Sequence, residues 1–130
     1  MNTPLKSILY VEDDLHLRTT ATLVLEVLGK FNVRECCSGR EALLAARDFR
    51  PDLILLDVLM PELDGVNTLA MLRRMPHLAN TPALFVTSMT TPDDVARYLE
   101  AGAFGVIAKP LMPLMLSSQL STLWDAHVSG

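Results

Sequence analysis

The chain has 130 residues, half of them hydrophobic and a fifth charged, a balance that suits one compact core and excludes a disordered tail. A formal net charge of −4 and the lack of any basic run argue against nucleic-acid binding by this domain, because phosphate contacts need clustered Lys and Arg. No apolar run reaches the length of a membrane span, and Met1 to Lys6 holds no apolar signal stretch, so no membrane association is expected and a cytoplasmic location is the default.

Ser7 to Val11 is a short apolar run of strand formers that ends in three acids, the pattern of a buried parallel strand. Asp14 caps the next segment, in which Leu17, Ala21, Val24, Leu25 and Leu28 fall at helical spacing, and Gly29 stands at the C-terminal cap. Asn32 to Cys37 is the second strand. The adjacent Cys36 and Cys37 would point to opposite faces there, so no disulfide joins them, and a reducing compartment is the simple reading. Ser38 and Glu41 match a capping box for a helix to about Asp48. Leu53 to Leu56 is the third strand, ending on Asp57, and Pro61 to Gly65 forms a loop before a helix from Val66 to Met75. Ala83 to Thr87 is the fourth strand, and Thr91-Pro92-Asp93-Asp94 has the cap, proline and acids of a helix start. That helix ends near Ala101-Gly102. Gly105 to Ala108 is the fifth strand, and the last helix runs from Pro113 to about Ala126.

Five strands alternating with five helices predict a doubly wound α/β fold, a parallel sheet covered on both faces, as one domain over residues 1–130, and the order 2-1-3-4-5 is the common choice at this size. In such a sheet, ligands bind beyond the carboxyl ends of the strands. Those ends carry Glu12-Asp13-Asp14, Asp57, Thr87-Ser88 and Lys109-Pro110. Clustered carboxylates need a cation, and oxygen donors suit Mg²⁺ or Mn²⁺. A carboxylate can attack phosphorus, while a lysine, a hydroxyl and the metal stabilise the transferred phosphoryl oxygens.

The run Asp57-Val58-Leu59-Met60-Pro61-Glu62-Leu63-Asp64-Gly65 resembles the Asp-x-x-Met-Pro-x-x-Asp-Gly pattern of response-regulator receiver domains. Val11-Glu12-Asp13-Asp14, Thr87 and Lys109-Pro110 match that family in order and spacing across the whole chain. The resemblance implies that Asp57 is the phosphoacceptor, Asp13 a direct metal ligand and Glu12 a second acid acting through water. It also implies a third ligand in the backbone carbonyl of Leu59, a switch hydroxyl in Thr87, a phosphoryl-binding lysine in Lys109 and a cis bond before Pro110. The implied partner is a sensor histidine kinase or histidine phosphotransfer protein carrying phosphohistidine. The implied role is a two-component signalling module that assists its own phosphorylation, not an enzyme. The alternative is a receiver-like interaction module that is never phosphorylated, which would lack the Asp, Thr or Lys present here. A flavodoxin would need a phosphate loop in place of Glu12-Asp13-Asp14, and a dehalogenase-type phosphatase would need an Asp where Leu59 stands.

Other residues read more plainly. Asp64 is a turn or cap residue, the seven methionines are core filler, and His16, His77 and His127 are surface residues. The family usually places an aromatic ring three residues before the strand-five lysine, where this chain has Val106. Phe104 lies on the same face if the strand extends that far, and is the candidate substitute. By the same resemblance, Leu59 and Met89 flank the water that hydrolyses the aspartyl phosphate, and neither can orient it. From Leu111 to Gly130 the only formally charged side chain is Asp125, and Leu23 and Val27 flank the core stripe of the first helix. These weakly charged faces suggest donor docking on the first helix or a homodimer through the last.

Overall fold

Strands and helices alternate through the computed structural model, which describes residues 3–130. β1 (Ser7–Val11) leads into α1 (Leu15–Val27), β2 (Asn32–Cys36) into α2 (Gly39–Ala45), and β3 (Leu53–Asp57) into α3 (Gly65–Leu72). A short 3-10 helix, Pro76–Leu78, precedes β4 (Ala83–Thr87). Then come α4 (Pro92–Glu100), β5 (Gly105–Ala108) and α5 (Pro113–Ser129). All strand pairs are parallel, as the alternation predicts, and the order is β2-β1-β3-β4-β5, the one expected at this size.

Composition decides the order. Every residue of β3 and β4 is buried, as a strand covered on both faces requires. β2 exposes Asn32, Arg34 and Glu35 and takes one edge. Leu9, Val11, Ile54, Leu56 and Phe85 pack under α2, α3 and α4. Ile8, Tyr10, Leu55, Leu84 and Ile107 pack on the other face under α1 and α5, against Leu25, Leu116 and Trp124. Each fully buried leucine contributes about 1.5–3 kcal/mol.

The helix starts follow their caps. The Asp14 side chain accepts from Leu17 N at 2.9 Å, the Asp64 side chain accepts from Asn67 N at 2.8 Å, and Thr91 and Asp94 form a complete capping box. At α2 the box is only half made. Ser38 accepts from Glu41 N, but the Glu41 carboxylate takes the N–H of Cys37 at 3.1 Å. Cys36 is buried and Cys37 is exposed.

The helix ends depart more from expectation. α2 stops at Ala45 and not near Asp48, because Arg47 N bonds to Leu44 O and the chain must become extended before Pro51. α3 stops at Leu72 and not at Met75. There Arg74 and Met75 bond three residues back, which tightens the turn, and Pro76 has no N–H with which to continue. α5 runs on to Ser129, past the expected Ala126. Gly29 is not the left-handed cap. Lys30 takes that conformation, with φ 58°, and Gly29 is small because a Cβ would lie 2.5 Å from the Phe31 ring. Leu28, placed in the core stripe by its spacing, is 56% exposed at the helix end.

Three other expectations also need correction. Among the methionines of the described residues only Met60 is buried, so they are not core filler. His77 is half-buried, with Nε2 2.7 Å from the Ala46 carbonyl oxygen, and so is not a free surface residue. Phe104 lies just before β5 and stacks on His127, with centroids 4.1 Å apart, in the core under α1 and α5. Val106 packs with the opposite core, so Phe104 does not share its face.

At the amino end of β4, a half-buried arginine gathers the chain. Arg73 donates to the carbonyls of Leu78, Thr81 and Gly102, which joins the end of α3 to the turn after α4.

Candidate functional site

The sheet ladder continues past the strand ends and carries the candidate residues with it. Glu12 N donates to Cys36 O at 3.0 Å, Val58 N to Val86 O at 3.1 Å, and Lys109 N to Thr87 O at 2.9 Å. Val11 pairs with Leu56, so Glu12 and Asp57 follow side by side. Gly65 seals the loop after β3, where its N–H donates to the Val58 carbonyl and a Cβ there would collide with the Asp57 carbonyl. That close approach is why the Asp-Gly pair cannot carry a larger second residue.

Glu12 and Asp57 are buried and Asp13 is exposed, and one carboxylate oxygen from each lies within 4.8 Å of the others. Lys109 Nζ stands 3.0 Å from Asp57 Oδ2 and 3.5 Å from Glu12 Oε1. One ammonium against three carboxylates leaves the cluster negative. Glu12 bears the consequence: burial first, and then the neighbouring Asp57, push its carboxyl up to about 7. Burial alone would lower the Lys109 ammonium, but the hydrogen bond and charge of Asp57 raise it, so it stays charged. Glu12 Oε2 accepts from Asp14 N at 3.2 Å, whereas Glu12 Oε1 is buried with no hydrogen-bond partner among the described residues. A buried carboxylate oxygen that has an ion pair with Lys109 but no hydrogen bond, inside an all-oxygen donor set, fits a hard divalent cation.

The other expected residues lie around this cluster. Thr87 is buried at the end of β4, and its Oγ1 accepts from Met89 N at 3.0 Å. The Lys109–Pro110 peptide is cis, as the resemblance implies. Leu59 and Met89 sit in the loops after β3 and β4 with side chains 59% and 39% exposed, and no hydrogen bond reaches the Leu59 carbonyl among the described residues.

Sequence reasoning passed over Arg18. Its Nη1 donates to the Glu12 carbonyl at 2.8 Å and reaches the Asp13 carbonyl at 3.5 Å, while Nε lies 3.9 Å from Glu35. The guanidinium thus pins the backbone of the acid run. The available signal was its position one helical turn after the Asp14 cap, which returns a side chain to the strand end. Tyr98 was also missed. It is fully buried on α4 and donates to the Met89 carbonyl at 3.0 Å.

Known proteins resemble this chain. The response regulator receiver domain family matches residues 8–121. The DNA-binding response regulator MtrA of Mycobacterium tuberculosis is 36% identical over 120 residues, which cover 92% of this chain and 51% of MtrA. The chain therefore spans about half the length of that relative. The crystal structure of chemotaxis protein CheY4 of Vibrio cholerae superposes with a TM-score of 0.84 at 30% identity, covering 92% of this chain and 99% of that one. The receiver domain of a signal transduction histidine kinase from Syntrophus aciditrophicus is 36% identical with a TM-score of 0.77, covering 93% and 91%. No helix among the described residues is long and apolar enough to cross a membrane. A family match over most of the chain, the expected strand order and an acid, hydroxyl and lysine cluster at the strand ends agree: this chain belongs to the response regulator receiver domains.

Proposed function

We propose that residues 1–130 form one receiver domain in which Asp57 accepts a phosphoryl group from a phosphohistidine on a sensor histidine kinase or histidine phosphotransfer protein. One observation carries this reading: Asp57 is buried at a sheet end with Lys109 Nζ 3.0 Å from its carboxylate and two further acids beside it. The lysine ammonium offsets the charge of the buried cluster and leaves an Asp57 carboxylate oxygen placed as a nucleophile. A carboxylate oxygen of Asp57 attacks phosphorus, the P–N bond breaks, and the imidazole of the donor leaves with the electron pair. Lys109 stays within reach of the incoming oxygens, and Thr87 offers a hydroxyl proton to one of them.

Mg²⁺, or Mn²⁺, would be held by Asp13 and Asp57 directly, by Glu12 through water, and by the Leu59 carbonyl. When bound it supplies positive charge to the phosphoryl oxygens. The chain acts as a cytoplasmic signalling module and turns over no external substrate. Its test is direct. The chain should take up one phosphoryl group from acetyl phosphate in Mg²⁺ buffer, seen by intact mass, and beryllofluoride should block the uptake. Borohydride trapping should then place the label at residue 57, and a label found elsewhere would refute the assignment.

Two further expectations follow from the same surface. Leu59 and Met89 are exposed at the site but carry no group that can orient the hydrolytic water. A missing water contact of about 1–2 kcal/mol slows hydrolysis by about five- to thirty-fold. The aspartyl phosphate should therefore be long-lived, and the double variant Leu59→Asn, Met89→Glu should shorten its lifetime by that factor. A double variant that decays no faster than the parent removes the argument. Leu114 and Met115 on α5 are 81% and 59% exposed, which supports a homodimer through that helix. Sedimentation of the phosphorylated chain should show the dimer, and a strict monomer at high concentration excludes it.

A further inference from the structure

Two side chains from different elements hold Met89 in the loop between β4 and α4. Thr87 Oγ1, at the end of β4, accepts the Met89 N–H at 3.0 Å. From α4, the Tyr98 phenol donates to the Met89 carbonyl at 3.0 Å. Tyr98 is fully buried, its ring lies 5.5 Å from that of Phe85, and the Arg97 guanidinium covers it at 5.3 Å from the centroid. Its tip cannot move without its ring, and its ring is packed against β4.

This makes a chain of contacts from the site to a helix: Thr87, then Met89, then Tyr98. A hydroxyl that turns toward an oxygen arriving on Asp57 must carry its acceptor lone pair with it. The Met89 N–H then follows or loses its partner, and the Met89 carbonyl moves against the phenol. Val106 packs with the same core as Phe85 and Tyr98 but has no polar atom and is stiff at χ1, so it cannot make this link.

We propose that Tyr98 is a positioning residue of the phosphoryl site. Through Met89 it sets where the Thr87 hydroxyl rests in the unphosphorylated chain, and it passes the movement of that hydroxyl to α4. The inference depends on Asp57 being the phosphoacceptor. The bland account is a buried phenol that has merely found an acceptor. The other tyrosine separates the two accounts, because Tyr10 is also buried but its hydroxyl has no partner among the described residues.

The chain has only two tyrosines, so meta-fluorotyrosine gives two fluorine NMR signals that Tyr10→Phe assigns. Beryllofluoride with Mg²⁺ serves as the phosphoryl mimic, and its own fluorine signal reports binding. The Tyr98 signal should shift on binding, and in Thr87→Val it should stay in place while beryllofluoride still binds. Tyr98→Phe keeps the ring and the fold, and by releasing Met89 it should tighten beryllofluoride binding by about three- to tenfold. Bound beryllofluoride with an unmoved Tyr98 signal overturns the proposal. Unaltered affinity in a folded Tyr98→Phe does the same. If no beryllofluoride binds at all, the reading of Asp57 fails, and this inference fails with it.

Discussion

Asp57→Asn is expected to abolish phosphoryl uptake completely while making the metal-free chain more stable. The first effect follows from loss of the proposed nucleophile. The second follows from crowding, since Glu12 and Asp57 are both buried and share one lysine. Without Asp57, Lys109 pairs with Glu12 alone, and Glu12 loses its buried like-charged neighbour, with only the exposed Asp13 left beside it. A gain of about 1–2 kcal/mol is expected for removing one buried charge of an unbalanced set. The pH dependence gives a sharper signature. The Glu12 carboxyl is raised in the fold from 4.5 to about 7. A raised acid binds its proton more tightly when folded, so its contribution is full below pH 4.5 and is lost as pH rises through about 7. Thermal melts in EDTA should therefore show the parent losing stability across that window, with a shallower slope in Asp57→Asn. An equal slope in both proteins would show that Asp57 does not perturb Glu12.

Lys109→Met should move two properties of the site in opposite directions. Phosphoryl uptake from acetyl phosphate should fall by about one hundred- to one thousand-fold, the usual loss when a preorganised charge facing a transferred group is removed. Mg²⁺ binding should instead become tighter. Lys109 Nζ competes with a metal ion for the Asp57 and Glu12 carboxylates, 3.0 Å and 3.5 Å away, and among the described residues no other cation forms an ion pair with the three acids. Methionine keeps most of the length of the side chain, so packing changes little. Calorimetry with Mg²⁺ beside single-turnover labelling measures both. A variant that binds Mg²⁺ more weakly would mean that Lys109 organises the acids and does not compete for them.

The sheet and the cluster were legible for different reasons. The parallel sheet followed from βαβ alternation, while its order was the common one for a fold of this size; the wholly apolar runs Leu53 to Leu56 and Ala83 to Val86 fit the central places, since only central parallel strands bury both faces. Asp57, Lys109 and the acid run were legible because each sits at a strand end, where the fold itself brings residues together. The ends of α2 and α3 were not, because the stop depends on three-residue hydrogen bonds that leave no mark in hydrophobic spacing. Arg18 and Tyr98 act on the backbone of other segments. Such contacts are set by where the helices pack, which a lysine-like or core-like identity in the sequence does not reveal. Phe104 was misplaced by assuming that strand alternation continues one residue before β5.

The Arg73 staple lies at the opposite end of the sheet from the acids, and it divides the molecule by how easily its parts open. Its three carbonyl partners belong to the 3-10 turn, the entry to β4 and the turn after α4. Opening any one of these segments on its own takes from a half-buried guanidinium one charge-assisted hydrogen bond, which costs about 1.5–3 kcal/mol. Among the described residues the loops after β3 and β4 have no comparable tie, since Met89 is held by two neutral bonds and Leu59 by none. Local unfolding should thus begin beside Asp57 and reach the base of β4 last, with amide hydrogen exchange fast in the loops after β3 and β4 and slow around Arg73. The domain is in this sense a clamp fixed at its base, whose jaws can rearrange around a phosphoryl group without loosening the hinge that aligns them.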